Sequence, residues 1–415
     1  MEQMYYLMNK NIKLLEFKVY DTPYGELIEE INSLSNLRPI GFTNINDWVI
    51  NRNYAKHKEH LKKWLKEWEI ETSRGFIDLT HCLSINDCLW VKSKDSDLVW
   101  ENVNLYNNEF SDVTKMTAFD TGLFGLQLST THITSPEFTS EGSAPKFWQN
   151  ENDDIYLYKP QLSGASNFGL EANSEFISSY IINQISNVNN TVYDITRVNN
   201  KICSKCRLFT DENYGYIPFY KSFNYFNISE NVPENITTKD VLDICKEIGY
   251  EEESKKMYLI DSLIFNQDRH LGNFGFIFDN NTFEIIDFAP LYDYNISFLC
   301  NALDKDISSL NAFFQYEDEY MLGHKLGGKF SEVGRAVIDN KLNDLIPSTL
   351  IIPKHPNSTL NLDDHRIECI IKILENNAKS ITGKNINFIY KEIPEHFYNQ
   401  INKPYYNYDN FKKVK

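Results

Sequence analysis

The sequence lacks the features that would direct the chain into a membrane or an oxidising compartment. Its 415 residues contain no run of about 18 apolar residues, the length that a membrane-spanning helix needs. The first ten residues, MEQMYYLMNK, have no apolar core of signal-peptide length. Seven cysteines are an odd number in so long a chain, which is typical of a reducing cytoplasm rather than of a disulfide framework. We therefore expect a cytoplasmic protein that does not engage a membrane.

Basic residues are too few for a protein whose main work is binding nucleic acid. The 58 acidic residues outnumber the 41 basic ones, and the net charge at pH 7 is −17. Neutralising a phosphate backbone requires a basic face. The concentrated basic stretch KHKEHLKKWLK at 56–66 is more typical of a solvated helix face. We therefore expect no direct binding of nucleic acid.

The sequence also lacks a complete zinc motif. Cys203 and Cys206 form a CxxC pair, but no second pair follows at zinc-ribbon spacing, which disfavours structural zinc and a redox pair alike. Internal repeats and low-complexity tracts are absent as well. Hydrophobic residues make up 42% of the chain and aromatics 14%, ample for a packed core. The length allows two domains, or one large enzyme with an extension.

The order of hydrophobic patterns predicts an α+β chain. Strand-like runs dominate the first 130 residues, with one amphipathic helix around Trp64 and Trp68. Two hairpins are predicted further on, one in KFWQNENDDIYLYK and one in FGFIFDNNTFEIIDF, and a helix is predicted for EANSEFISSYIINQI. After about residue 237 the remaining pattern is mostly helical.

This order predicts an α+β layout with a cleft between a sheet-rich lobe and a helical lobe. The sheet-rich lobe and its hinge would occupy 131–221, and the helical lobe 222–415. A mixed α/β accessory region at 1–130 would precede them and pack against the lobes or bind a protein partner.

The segment NQDRHLGNFG at 266–275 crowds polar side chains between two apolar runs. Asp268 precedes Asn273 by five positions, and Asp287 arrives at the end of the following hairpin. Phosphoryl transfer from ATP uses a carboxylate that orients the acceptor hydroxyl, and an Asn and an Asp that bind Mg²⁺, in kinases at this same spacing. Taken singly, Asp268 and Asn273 are equally typical of Asx turns, and His270 of a hydrogen-bonded core histidine. Taken together, the pattern predicts Asp268 as catalytic and Asn273 and Asp287 as Mg²⁺ ligands.

Upstream segments supply candidate nucleotide contacts. Lys159 ends the strand IYLYK, where a phosphate-binding lysine would project into a cleft, although a lysine at a strand end is usually a solvated edge residue. The next helix offers Glu175 as its ion-pair partner, with Glu171 as the second candidate. Gly142, Ser143 and Ala144, in the small-residue loop GSAPK, are predicted to cover the phosphates.

The segment YIPFYK at 216–221 is predicted as the hinge between the lobes. Its backbone, at Phe219 and Tyr220, is placed to pair with adenine.

With these segments in order, the chain resembles HipA-like serine/threonine kinases. That family carries a DRHxxN catalytic loop and a later Asp followed by an Ala-Pro-Leu/Ile-Tyr/Phe-Asp run, and NQDRHLGNF and IIDFAPLYD match both. The resemblance covers about 135–385 and includes CSKCRLFTDENYGYIPF as the approach to the hinge. It departs from the family in a loop without a run of glycines, and 1–130 does not match the short N-terminal domain of the best-known members.

The resemblance implies a two-lobed, protein-kinase-like fold, with ATP and Mg²⁺ as cofactors and a protein as substrate. Asp268 would act as the base or orient the hydroxyl, and His270 would hold the loop rather than transfer protons. Some HipA-like kinases phosphorylate a loop serine, for which Ser143 is the best match here. Classical members of toxin–antitoxin systems act with a separate DNA-binding antitoxin, so a separate antitoxin-like regulator is a possible partner.

Two alternatives remain open on sequence grounds. The first is a kinase of a small molecule or a lipid head group, which a closed acceptor pocket would favour. The second is a nucleotide-binding interaction module without catalysis. The intact set of Asp268, Asn273 and Asp287 argues against that module, because a degenerate kinase usually loses one of them.

Overall fold

The computed structural model describes residues 2–53, 72–110, 136, 139, 145–152, 154–162, 169–228 and 233–393. The predicted helix around Trp64 and Trp68, and the loop residues Gly142, Ser143 and Ala144, lie outside these ranges.

Strands and helices alternate in the order that the hydrophobic patterns predict for an α+β chain. The described strands are β1 (Glu2–Asn9), β2 (Ile12–Thr22), β3 (Gly25–Ser33), β4 (Leu89–Ser93), β5 (Phe147–Glu151), β6 (Asp154–Pro160), β7 (Tyr193–Val198), β8 (Lys201–Arg207), β9 (Tyr214–Pro218), β10 (Gly275–Asp279), β11 (Ile285–Phe288), β12 (Thr349–Lys354) and β13 (Asn387–Glu392). The described helices are α1 (Ile45–Arg52), α2 (Ser73–Thr80), α3 (Trp100–Val103), α4 (Glu171–Ile182), α5 (Thr238–Glu247), α6 (Glu251–Ile264), α7 (Asp304–Ile307), α8 (Leu310–Glu319), α9 (Phe330–Val337), α10 (Asn340–Leu345) and α11 (Asp364–Thr382).

The strands form three antiparallel sheets and one parallel pair. Their orders are β3-β2-β1-β4, β5-β6-β8-β7 and β11-β10-β9, with β12 parallel to β13. Both predicted hairpins are confirmed as β5–β6 and β10–β11. The N-terminal strands are longer than the short runs expected, because β1, β2 and β3 make a continuous meander of 8, 11 and 9 residues.

Helix α4 is buried along its whole length: all 12 of its residues are buried. A helix buried on every side must satisfy its polar side chains internally. Ser174 donates its hydroxyl to the carbonyl oxygen of Tyr294 at 2.6 Å, and Asn173 donates to that of Leu360 at 2.8 Å. These bonds tie α4 to the segment after β11 and to the turn before α11.

Cys203 and Cys206 lie three positions apart on β8, so their side chains point to opposite faces of the strand. Both are buried, and burial raises the pKa of Cys203 to about 11 and that of Cys206 to about 12. Two thiols on opposite faces cannot bind one ion, and this CxxC is a core feature.

The N-terminal region is attached by hydrogen bonds to β9 and to the turn after β10. The carbonyl oxygen of Asn86 accepts the N–H of Tyr216 at 2.7 Å, and Asn9 donates its side-chain amide to the carbonyl oxygen of Asn280 at 2.6 Å. The described part of the N-terminal region therefore packs against the small β11-β10-β9 sheet. None of the helices in the described ranges is both long and apolar enough to cross a bilayer.

At Gly275, the first residue of β10, the backbone of β10 lies close to the end of β9. A Cβ atom at Gly275 would overlap the carbonyl oxygen of Ile217 and lie 2.9 Å from the nitrogen of Phe219. We expect Gly275→Ala to lower the free energy of unfolding by about 1–3 kcal/mol, the usual cost of overpacking, in urea denaturation.

Gly272→Ala is the matched control, because the close neighbour of the new Cβ would be the ring of the exposed His270, 2.9 Å away. That ring can rotate aside at the cost of one exposed hydrogen bond, from the Gly272 N–H to Nδ1, so the control should lose less stability than Gly275→Ala. Equal stability of the two variants would contradict the close approach of β9 and β10.

Candidate active site

The loop at 266–274 is formed where α6 ends in an unusual conformation. Phe265 caps the helix with φ of 57°, a left-handed backbone that a bulky aromatic residue rarely adopts. Its ring is fully buried against Phe313 and Phe330, with centroid distances of 5.4 and 5.5 Å, and this packing holds the conformation. The chain consequently turns sharply out of α6, directly into the segment that carries Asp268.

Arg269 holds this loop in place from inside the protein. Its side chain is fully buried and binds both carboxylate oxygens of Asp261 on α6, at 2.8 Å from Nε and 3.0 Å from Nη2. Nη1 donates to the carbonyl oxygens of Asn273 and Tyr292, both at 2.7 Å. Burial opposes the charge, yet Asp261 raises the pKa of Arg269 above its ordinary value. One cation thus joins α6, the loop and the segment after β11.

Asn273 closes the loop on itself. Its side-chain amide donates to the carbonyl oxygen of Asp268 at 2.8 Å, and its side-chain oxygen accepts the N–H of His270 at 2.9 Å. His270 is exposed, and its Nδ1 accepts the N–H of Gly272 at 3.0 Å. His270 therefore stabilises one turn locally, while the loop as a whole is held by Arg269, a role that the sequence analysis did not assign.

Lys159 lies at the centre of an acidic cluster. Its Nζ is 2.6 Å from Glu175 of α4 and 2.7 Å from Asp293. Glu175 is 1% exposed, and its second carboxylate oxygen accepts the hydroxyl of Ser204 on β8. Glu171, the second candidate partner, instead accepts backbone N–H groups of Leu162 and Gly169. The structure therefore brings together Lys159 and Glu175, the pair that the sequence favoured.

The charged groups of this cluster shift one another's pKa. Burial opposes the charge on Lys159, but Asp293 and Glu175 together raise its pKa. Burial also opposes the charge on Asp293, but Lys159, followed by Lys146 and Arg269, holds the pKa of Asp293 well below its usual range. For Glu175, burial prevails over Lys159 and raises the pKa. Asp293 is therefore the firmly ionised carboxylate of the cluster.

Asp293, and not Asp287, is the acidic residue that meets Asn273. The Asn273 amide nitrogen is 3.4 Å from the carboxylate of Asp293. Asp293 has φ of 65°, and its N–H donates to the Tyr193 hydroxyl at 3.3 Å. The left-handed backbone of Asp293 is strained, and the surrounding contacts must stabilise it.

The structure places Asp287, the predicted metal ligand, in β11. Asp287 pairs with Ile277 across the hairpin, and its carboxylate accepts the N–H of Phe288 at 2.8 Å. Burial raises its pKa, with smaller effects from Glu253 and Lys256 of α6. Five residues, FAPLY, separate Asp287 from Asp293, the residue that contacts Lys159. The sequence analysis singled out the Asp of IDF and did not consider the Asp that ends APLYD.

The backbone N–H groups of Phe219 and Tyr220, the predicted adenine contacts, both have partners in the polar loop. The Phe219 N–H donates to the carbonyl oxygen of Phe274 at 2.9 Å, and the Tyr220 N–H donates to that of Leu271 at 3.3 Å. The Phe219 ring is fully buried against Phe274, with centroids 4.7 Å apart. Both N–H groups therefore support the polar loop, and pairing of this segment with adenine stays a prediction. The chain passes from β8 to β9 earlier, near Phe209, whose ring contacts Tyr292 at 5.7 Å.

The oxygen ligands at the cluster fit Mg²⁺ better than a metal that needs a full protein cage. In the described ranges no three His, Cys, Asp or Glu side chains converge as a metal cage. Mg²⁺ is commonly held by one or two carboxylates, with water and substrate phosphates completing its shell. Asp293 offers an ionised carboxylate of this kind, and Asn273 lies beside it, with its amide nitrogen toward Asp293 and its amide oxygen accepting the N–H of His270.

Comparisons with known proteins agree with a kinase. No family model matches the chain. The serine/threonine-protein kinase CtkA of Helicobacter pylori strain J99 is 25% identical over 179 residues, which are 39% of this chain and 54% of CtkA. The chain therefore spans about half the length of this relative.

One solved structure extends the likeness to the fold. A chain of the Shewanella oneidensis MR-1 toxin–antitoxin complex of HipA, HipB and operator DNA matches with a TM-score of 0.50 and 10% identity, covering 92% of this chain and 98% of that one. The crystal structure of H. pylori CtkA matches with a TM-score of 0.45 and 19% identity over 59% and 90% of the two chains. The sequence relationship to CtkA, together with the fold shared with HipA, supports the HipA-like serine/threonine kinase family and confirms the resemblance predicted from the motifs.

Removing Arg269 should be far more costly than the loss of an ordinary surface charge. Arg269→Met would leave Asp261 buried and unpaired, and we expect the free energy of unfolding to fall by about 3–5 kcal/mol in urea denaturation. The double variant Arg269→Met/Asp261→Leu removes both charges and should recover part of this loss. If the double variant lost as much stability as Arg269→Met and Asp261→Leu lose together, the ion pair would not be the source of the loss.

Proposed function

We propose that the chain is an ATP- and Mg²⁺-dependent kinase that phosphorylates serine or threonine in a protein substrate. The observation that carries this proposal is the joint contact of Lys159 with Glu175 and Asp293, beside a loop in which Asn273 and Asp268 are bonded together. A buried lysine held between two carboxylates is already positioned to accept nucleotide phosphates. The name of CtkA, a serine/threonine-protein kinase, supports the substrate class.

The proposed architecture has two lobes with the site between them. The β5-β6-β8-β7 sheet with α4 would form one lobe, and α5 to α11 with the β11-β10-β9 sheet the other. Lys159 and Glu175 belong to the first lobe, and Asp268, Asn273 and Asp293 to the second. Gly142, Ser143 and Ala144 would cover the phosphates, and phosphorylation of Ser143 stays a prediction.

Each residue has a distinct role in the proposed transfer. Asp268 accepts the proton of the substrate hydroxyl, whose oxygen forms a bond to the γ-phosphorus of ATP. The bond from that phosphorus to the β,γ-bridging oxygen breaks, and ADP leaves with the electron pair. Lys159 holds the phosphates, and Glu175 holds Lys159. Mg²⁺, which Asn273 and Asp293 would bind, supplies neutralisation of the phosphate charge.

The proposal includes a separate antitoxin-like protein as a partner. The Shewanella structure contains HipA together with HipB and operator DNA. A separate antitoxin-like protein, rather than this acidic chain, would then make the contact with nucleic acid.

The direct test is Mg²⁺-dependent transfer from labelled ATP into a whole-cell lysate. We expect labelled serine or threonine with wild type and a loss of about 10²–10⁴-fold in Asp268→Asn, which keeps the shape of the side chain and removes the charge that orients the hydroxyl. A fully active Asp268→Asn enzyme would refute the assignment. A labelled small molecule would favour a metabolite kinase, and ATP binding without any transfer would favour a nucleotide-binding module.

Asp293 and Asp287 can be separated by matched substitutions to asparagine. Because Asp293 lies beside Asn273 and Lys159, Asp293→Asn should weaken Mg²⁺-dependent ATP binding by about 100-fold or more, since even outer-shell changes at metal sites cost about 10–100-fold. Asp287→Asn should retain wild-type binding. Calorimetry with ATP, with and without Mg²⁺, measures both affinities. The reverse pattern would restore Asp287 as the ligand.

A further inference from the structure

Asp268 already has a cationic partner from a distant part of the chain. Lys325 places its Nζ 3.2 Å from the Asp268 carboxylate. Lys325 belongs to the glycine-rich turn GHKLGG at 323–328, which joins α8 to α9. Among the residues that the structure describes, it is the only lysine or arginine ion-paired with Asp268.

The turn that carries Lys325 is held by bonds on both sides. The N–H of His324 donates to the carbonyl oxygen of Gly328 at 3.0 Å, and the N–H of Gly327 donates to that of His324 at 2.9 Å. Thr238, at the start of α5, donates its N–H to the carbonyl oxygen of Leu326 at 3.0 Å. A Cβ at Gly323 would lie 2.5 Å from the Gly328 oxygen, so the turn closes tightly.

His324 anchors the turn in the core. Its ring is buried, its Nε2 lies 2.9 Å from the Ser262 hydroxyl, and it contacts Phe330 with a centroid distance of 4.7 Å. Burial lowers the pKa of His324 to about 4, so the anchor stays neutral at neutral pH. Lys325 is thus displayed from a rigid support.

Stability does not account for this placement. The Lys325 side chain is 57% exposed, and an exposed ion pair contributes little to stability because water screens it. Lys329, four residues later, forms a comparable exposed pair with Asp318 at 2.8 Å on the surface. The two lysines have similar settings, and only Lys325 faces the proposed catalytic carboxylate.

We propose that Lys325 is a further catalytic residue, whose ammonium contacts the oxygens of the phosphoryl group during its transfer. This inference rests on the proposed function. Asp268 takes the proton of the attacking hydroxyl, so a cation bound to Asp268 lies next to the reacting atoms. An ammonium has three N–H donors, which allows it to keep Asp268 and also meet the phosphoryl oxygens. Lys159 is held by Glu175 and Asp293, so Lys325 supplies charge on the acceptor side.

The expected signature is selective loss of transition-state binding. Lys325→Met should lower kcat about 10²-fold, in line with the removal of one preorganised donor. Its affinity for Mg²⁺·ADP should equal that of wild type, while its affinity for Mg²⁺·ADP with aluminium fluoride, a mimic of the transferred group, should fall by a similar factor. Lys325→Arg should retain most of that affinity. Lys329→Met is the matched control and should bind both probes as wild type does.

Calorimetry on the full chain separates the possible failures. Wild-type affinity of Lys325→Met for the aluminium fluoride complex would overturn the role of Lys325 and leave the kinase assignment standing. No binding of Mg²⁺·ADP by wild type would overturn the proposed function and this inference with it. If Lys325→Met proved unstable, Lys325→Gln would replace it, and wild-type affinity of that variant would equally overturn the role.

Discussion

The buried ion pair of Arg269 and Asp261 is the constraint on which the rest of the site depends. A guanidinium presents several donors in a rigid plane, and here each direction is used. One edge binds Asp261 on α6, and the remaining nitrogen binds the carbonyl oxygens of Asn273 and Tyr292. The two residues proposed to bind metal, Asn273 and Asp293, are therefore positioned by the same cation. An unpaired charge at this depth would be costly, so the three segments stay together.

Helix α4 connects the segment around Asp293 to Lys159. Ser174 binds the carbonyl oxygens of Tyr294 and Ser297, and Glu175, in the adjoining position, binds Lys159. The segment around Asp293 is thus held by Arg269 from one side and by α4 from the other. Lys159 in turn has two acidic partners for one positive charge. The excess negative charge suits a site that is to receive a divalent cation.

Charge is divided between the two sides of the polar loop. Lys159 lies on the side of Asp293, inside the protein, and Lys325 lies on the side of Asp268, toward solvent. The first lysine is fixed by buried carboxylates, and the second by a tight turn anchored through His324. A basic residue on each side of the loop suits the proposed phosphoryl transfer, in which negative charge spreads over the transferred oxygens.

Local sequence determined the elements and the most regular contacts. Alternating apolar residues and turn residues were enough for the β5–β6 and β10–β11 hairpins and for α4, and they placed Lys159 opposite Glu175.

Tertiary structure alone decided three matters that depend on how far the chain must travel in space. Asp293 rather than Asp287 reaches Lys159, because β11 leaves Asp287 in a sheet and five residues separate the two acids. The backbone N–H groups of Phe219 and Tyr220 bind carbonyl oxygens of the polar loop. Arg269 meets Tyr292, and Lys325 meets Asp268, only after segments far apart in the chain pack together, since such contacts leave no periodic signal in the sequence.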